Sequence, residues 1–341
     1  AVIFLCRNFN KSKNRVMLLR IGILLDFVYF LSIILLKEKI VKYMYLVGIL
    51  YGLEEGFYFS IYHILESDGI NNEERAKFSG SYTAVQSILS IIFPLVFGSI
   101  IYSIGFIKCL LIVLIIVILS IILSILFKDI NIPSLNKTNM KDFKKLVQNN
   151  KKIHQMAKVE FFSGLTYSEG AFSYIVTIYI IKIFSSSFSL GVFTSIFNII
   201  TCLLGILFAK FIKPNHYKNV IKISMIFTII SLSIMIYKCT IITVILFNFF
   251  QTFSKNLMSL INGNSQANIS NIDILKKEFK VEYWLFNETA LFIGRIISNT
   301  LFILMAFTNS NIITYSFVIF LILFAKNSIK LQTLRTKVDD I

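Results

Sequence analysis

The sequence predicts an all-α polytopic membrane protein, and three observations lead there. Apolar residues fall in long uninterrupted blocks, one of them reading CLLIVLIIVILSIILSILF from Cys109 to Phe127. Only 15% of the 341 residues are charged, 56% are hydrophobic, and mean hydropathy is +0.76, against about 25% charged and 45–50% apolar in soluble domains. The basic residues gather in alternate loops. A run of about 20 apolar residues crosses a hydrocarbon core about 30 Å thick, and in lipid only helices and closed barrels satisfy their own backbone. Barrel strands need only about 9–11 alternating residues. These blocks are continuous and longer, so they read as helices.

Taken in order, the chain shows ten full spans: Val16–Leu36, Lys42–Leu65, Phe78–Ser103, Gly105–Phe127, Ala157–Lys182, Phe188–Phe211, Tyr217–Tyr237, Thr240–Asn262, Val281–Phe307 and Ile312–Ala325. Ala1–Leu5 (AVIFL), without an initiating Met, reads as the end of an earlier helix, so an N-terminally truncated chain is expected. The loops alternate short and long. KEKIVK, SIG, IFSSS, KC and TNSN are tight, whereas RNFNKSKNR, ESDGINNEERAK, residues 128–158, KPNHYK and NSQANISNIDILKKEFK are extended.

Of the 34 Lys and Arg residues, only Lys37, Lys39, Lys42, Lys108, Lys182 and Lys238 lie on the short-loop side, and Lys255 and Arg295 lie within spans. The other 26 sit on the long-loop side with the C-terminal tail. An excess of Lys and Arg marks the cytoplasmic side, so the long loops and the C-terminus are placed in the cytoplasm of a plasma-membrane protein. The same asymmetry accounts for the formal charge of +16 without a nucleic-acid partner. Residues 128–156 are expected to form a cytoplasmic linker: Pro133, then the Lys-rich stretch MKDFKKLVQNNKKIH as an amphipathic helix on anionic headgroups.

An offset near 200 aligns the chain with itself. NRVMLLRIGILL falls near KNVIKISMIFTI, Lys42–Leu65 on Thr240–Asn262, and the long loop before Phe78 on the one before Val281. Parallel repeats of this sort mark transporters that bind substrate between two halves. The expected domains are residues 1–127 (an incomplete N-terminal bundle), 128–156 (the linker) and 157–341 (a six-helix C-terminal bundle with a short tail). Six spans in the second half and four in the first imply two missing at the start, and twelve in all.

Polar residues inside the spans are the candidate site. A charge at the bilayer centre costs about 2.5–3.5 kcal/mol on insertion scales, so it is kept where it serves a use. Gly48, Tyr51, Glu55, Tyr58 and Tyr62 share one helical face, with Glu54 turned about 100° from it. One repeat later, Asn248, Gln251, Lys255, Ser259 and Asn262 form a matching stripe, and Lys255 takes the place of Glu55. Opposite charges at equal height on equivalent helices suit a pair facing across a cavity. Thr166, Glu169, Ser173 and Thr177 form another face, and Trp284, Glu288, Arg295 and Asn299 a fourth. Glu288 and Arg295 lie two turns apart, about 10 Å along the axis, placed to grip one ligand or two partners. Tyr82, Gln86 and Ser90 form a milder stripe, and Asp26 stands isolated in an apolar span.

Enzymatic constellations are missing from this pattern. Cys6, Cys109, Cys202 and Cys239 form no C-x-x-C and read as reduced buried thiols; His63, His154 and His216 are scattered. No cofactor, no metal and no catalytic residue are expected. A membrane-embedded lipid-linked transferase is the weaker alternative, because the outward loops are too short to carry one. An inactive fragment or a non-transporting protein of the same fold is the other.

The two six-span halves, the basic loop within each and the long central linker resemble the major facilitator superfamily. Its loop signature, Gly-x-x-x-Asp-Arg/Lys-x-Gly-Arg/Lys, is matched in GILFAKFIK by Gly205, Lys210 and Lys213, while Ala209 replaces the Asp and Ile212 the second Gly. CRNFNKSKNR keeps only the basic character. EYWLFNETALFIGRI, Glu282–Ile296, is similar to a stretch of bacterial members. Pro94 and Gly98 stand where antiporters of the family carry a Gly-rich Gly-Pro motif, without the preceding glycines. The resemblance implies a monomeric secondary transporter with alternating access for a small solute, proton-coupled. It places Glu55, Glu169 and Lys255 on cavity-lining spans and Asp26 at the periphery. A buried Glu55 or Glu169 would carry the proton, Lys255 and Arg295 would attract an anionic group, and Glu288, Tyr51, Tyr58 and Gln251 complete the expected site.

Overall fold

The computed structural model describes residues 15–69, 72–126, 140–167, 186–211, 214–270, 280–308 and 311–336, together with residues 174, 178, 180, 181, 183, 272, 275 and 279. Among the described residues there is no strand. Among the described residues, eight helices are long and apolar enough to cross a membrane by length and composition: Val16–Val41, Val85–Ile104, Phe106–Leu126, Ser187–Leu204, Tyr217–Tyr237, Ile241–Ser270, Glu282–Met305 and Tyr315–Leu334. Each overlaps one of the ten expected spans. Of the other two, Lys42–Leu65 falls on a helix, and much of Ala157–Lys182 lies outside the described residues.

The chain divides into two compact units, residues 1–136 with 186–195, and residues 137–185 with 196–341. The first holds α1 (Arg15–Leu36), α2 (Met44–Gly69), α3 (Asn72–Ile104) and α4 (Phe106–Leu126). α1 is the hub, packed on both α2 and α4, and α3 packs on α4. Gly105 ends α3 at φ +88°, its N–H bonding to Ile101 O at 3.0 Å. A side chain in this left-handed conformation would be strained, so glycine makes the tight turn. α3 begins at Asn72, so part of the stretch read as the loop ESDGINNEERAK is helical.

The second unit contains α5 (Met140–Asn149), α6 (Lys151–Leu165), α8 (Tyr217–Tyr237), α9 (Ile241–Ser270), α10 (Lys280–Thr308) and α11 (Asn311–Thr336). α7 (Ser187–Phe211) begins among the residues grouped with the first unit and continues in the second. Here α8 packs on α9 and α11, and α10 touches α11. These pairings repeat those of α1 with α2 and α4, and of α3 with α4, so the offset seen in the sequence recurs as a packing pattern. Large apolar side chains such as Ile115, Leu123, Ile242 and Ile319 point outward from both units, as expected of surfaces facing lipid tails.

The linker helix departs from expectation in two ways. MKDFKKLVQNNKKIH is not one helix: Asn150 breaks it, its side chain accepting from Lys152 N at 3.0 Å and Ile153 N at 3.3 Å to cap α6. Its apolar face also covers protein rather than headgroups. Phe143 and Val147 are buried in the core of the second unit, the Phe143 ring 6.0 Å from Phe279 and 5.9 Å from Phe286. Amphipathicity fixes which face is apolar; it does not say what covers that face.

Candidate functional site

Polar and charged groups inside the helices fall into three places. In the first unit, α2 presents Glu54 and Glu55 toward α1. Glu54 occupies the packed face and is buried, while Glu55 is half-buried. Asp26 of α1, half-buried, lies within electrostatic reach of both. Three acids thus lie in one another's electrostatic field, where the sequence pattern showed two acids and an isolated third. Tyr51 is exposed, its ring 5.3 Å from Tyr29, and Tyr58 is half-buried. The side chain of Tyr62 lies outside the described residues.

In the second unit, the stripe on α9 divides. Gln251 and Asn262 are buried, whereas Lys255 and Ser259 are exposed. At 100° per residue Asn262 lies about 20° from Gln251, but Lys255 lies about 40° and Ser259 about 80° away. The buried residues Phe247, Ser254, Met258 and Ser265 lie on the opposite side of Gln251, so the stripe drifts out of the packed arc. Lys255 has no acidic partner among the described residues. Asn262 donates to Ser328 Oγ at 3.2 Å, and Gln332 donates to Ser265 Oγ at 2.9 Å. These bonds tie α9 to α11.

The third place joins α6 to α10. A Cβ placed on Gly164 would collide with the Leu291 carbonyl oxygen, and one on Gly294 with the Phe161 carbonyl oxygen. Two backbones come this close only where both lack side chains. The helices run parallel through the contact. On its C-terminal side Ser298 Oγ donates to Leu165 O at 3.1 Å. On its N-terminal side half-buried Glu160 lies in the field of Glu288, Arg295 and Tyr283. Glu288 and Arg295, placed two turns apart by the sequence, therefore share an acid on the neighbouring helix. Tyr283 and Asn287 lie one turn apart, close enough to couple. Yet among the described residues neither the buried Tyr283 hydroxyl nor either polar atom of buried Asn287 reaches a hydrogen-bond partner of acceptable geometry.

Glu160 escaped the sequence pattern because it lies one turn into a span, where an acid reads as an interfacial residue. The signal available was Gly164, one turn on, repeating the spacing of Asn287 to Leu291 and Gly294 on the partner helix. Glu169, expected on the cavity-lining face of the same span, lies outside the described residues. No three of His, Cys, Asp and Glu gather to hold a metal ion among the described residues.

Two comparisons bear on this arrangement. The sequence model of a protein family described as Major Facilitator Superfamily matches residues 9–298. A protein of Geobacillus stearothermophilus described as "Uncharacterized protein in sodM 3'region" is 29% identical over 94 residues, 28% of this chain. The match spans 44% of that relative's length.

Proposed function

The chain belongs to the Major Facilitator Superfamily, and from that premise we propose that it is a secondary active transporter rather than an enzyme. It moves a small solute across the plasma membrane by alternating access, coupled to protons. The observation that carries this reading is the convergence of Asp26, Glu54 and Glu55 inside two apolar helices of the first unit. Acids kept at such depth are costly unless they exchange a proton or bind cargo. Its spans fall into an N-terminal bundle to residue 127, a linker over 128–156 and a C-terminal bundle from 157. Glu55 or Glu169 carries the proton, and Lys255 and Arg295 draw an anionic group of the substrate. Glu288, Tyr51, Tyr58 and Gln251 contribute to the cavity of a monomer.

Proteoliposomes with an alkaline interior, screened with labelled organic acids, sugars and amino acids, identify a transported solute. Glu55→Gln is expected to lower its pH-gradient-driven uptake about tenfold or more, the scale on which an essential proton-transfer group acts. Unchanged uptake removes Glu55 as the coupling residue, and no solute accumulating in response to the gradient removes the proton-coupled reading.

Orientation has a direct test in the exposed native Cys239, in the short loop between α8 and α9. With long loops cytoplasmic, a membrane-impermeant maleimide added to intact cells labels Cys239, and Cys239→Ser removes that labelling. Labelling only after the cells are opened reverses the orientation.

A further inference from the structure

The geometry points to a binding site for one anionic phospholipid, its acyl chain seated between α8 and α9 and its phosphate at Lys238. The two helices leave a cleft of about 80 Å³, lined by Phe227, Ile230, Ser231 and Ile234 of α8 and by Thr243, Leu246 and Phe250 of α9. On α8 these positions fall at i, i+3, i+4 and i+7, and on α9 at i, i+3 and i+7, so each helix gives one face. The cleft exists because a short side chain interrupts a row of long ones. Ser231 is buried and turns its hydroxyl back to Thr228 O at 3.0 Å, so it fills no space between the helices. Phe227 and Phe250 stack at 5.1 Å and close the end far from the connecting loop.

Three observations name the occupant. The cleft opens on an apolar outer surface: Phe227, Ile230, Ile234 and Leu246 are exposed, and the polar stripe of α9 turns away, with Gln251, Asn262, Lys255 and Asn248 about 140–200° around the helix from Leu246. A dry apolar space takes hydrocarbon rather than water, and in lipid surroundings a chain is held there by van der Waals contact with the walls. The length suits one leaflet. Phe227 and Ile234 are seven residues apart, about 10 Å along the axis, inside half of a hydrocarbon core about 30 Å thick. The mouth carries a positive charge. Lys238 N–H donates to Ile234 O at 2.9 Å, and its carbonyl accepts from Thr243 Oγ1 at 2.9 Å; both partners line the cleft. Exposed Tyr237 and Lys238 thus stand where an acyl chain passes into its headgroup, the level at which aromatic rings and snorkelling lysines sit. A second copy fits less well, because two-fold symmetry would set the same cleft opposite this one and leave both unfilled.

The test uses the purified full chain in detergent, with bimane maleimide on exposed Cys239, the residue after Lys238. Cys239→Ser protein treated alike gives the background from other cysteines. Phosphatidylglycerol and phosphatidylcholine, each with a nitroxide near the glycerol end of one acyl chain, are titrated in as quenchers. Quenching is expected to saturate, with phosphatidylglycerol half-saturating at about fivefold lower concentration, the preference that one basic residue near an anionic headgroup gives. Lys238→Gln, a change at an exposed position, should bring the two lipids level. Ser231→Leu fills the cleft and should remove saturable quenching by both.

Equal half-saturation by the two lipids in the parent protein overturns the proposal, and that measurement needs no variant to fold. So does a preference that survives Lys238→Gln, or quenching unchanged in Ser231→Leu. Glycerol phosphate carries the anion without a chain; its displacing the lipid would overturn the proposal and assign Lys238 a soluble anion. A dimer seen by light scattering and lost in Ser231→Leu would overturn it too, and give the face to a second copy. None of these results depends on the uptake assay, so the transport reading and this one fail separately.

Discussion

Gly164→Leu is expected to give no monodisperse protein after detergent extraction, and Gly164→Ala to lower the melting temperature by about 3–8 °C, the range that overpacking of about 1–3 kcal/mol produces. The new Cβ meets the Leu291 carbonyl oxygen head-on and stands 3.1 Å from Arg295 N. Both are backbone atoms of α10, and neither can rotate away as a side-chain end would. Relief requires the two helices to separate, which unseats the Ser298 bond to Leu165 O and the packing of Leu291. Gly294→Ala should behave alike, because its Cβ strikes the Phe161 carbonyl oxygen. Gly48, Gly52 and Gly263 supply the control: a Cβ at any of them meets nothing within 4 Å. Alanine there should leave the melting temperature unchanged or raise it, since alanine is the better helix former by about 1 kcal/mol. Fluorescence-detected size exclusion after a temperature series reads both sets. Equal tolerance at Gly164 and at Gly52 would falsify the close crossing.

That pair of glycines also shows where the sequence stops being legible. Hydropathy locates a helix because lipid demands about 20 apolar residues whatever the neighbours are, and so the eight candidate spans fall on expected ones. The repeat was legible for the same reason, since loop lengths and charge alternation survive divergence of the residues. Which face meets which helix was not. A stripe of residues spaced by four drifts about 40° per step, enough to carry Lys255 from a buried arc to an exposed one while Gln251 stays inside. Helix azimuth likewise decides between adjacent acids: Glu54, rather than Glu55, takes the packed face of α2. Long-range partners leave no mark on periodicity at all. Asp26 looked isolated because its neighbours Glu54 and Glu55 are on another helix, and Glu288 and Arg295 looked like a pair because their shared acid, Glu160, is over a hundred residues away.

Arg295→Leu is expected to destabilise the second unit by about 2–4 kcal/mol, below the range of about 3–5 kcal/mol for breaking a fully buried pair because Arg295 is only half-buried. The cost arises less from the lost attraction than from what remains, two carboxylates whose mutual repulsion Arg295 no longer offsets. The double variant Glu160→Gln, Arg295→Leu should therefore recover most of the loss, leaving a positive coupling in a double-mutant cycle. A merely steric role for Arg295 gives additive losses. Arg295→Lys keeps the charge but not the planar fork and should fall between.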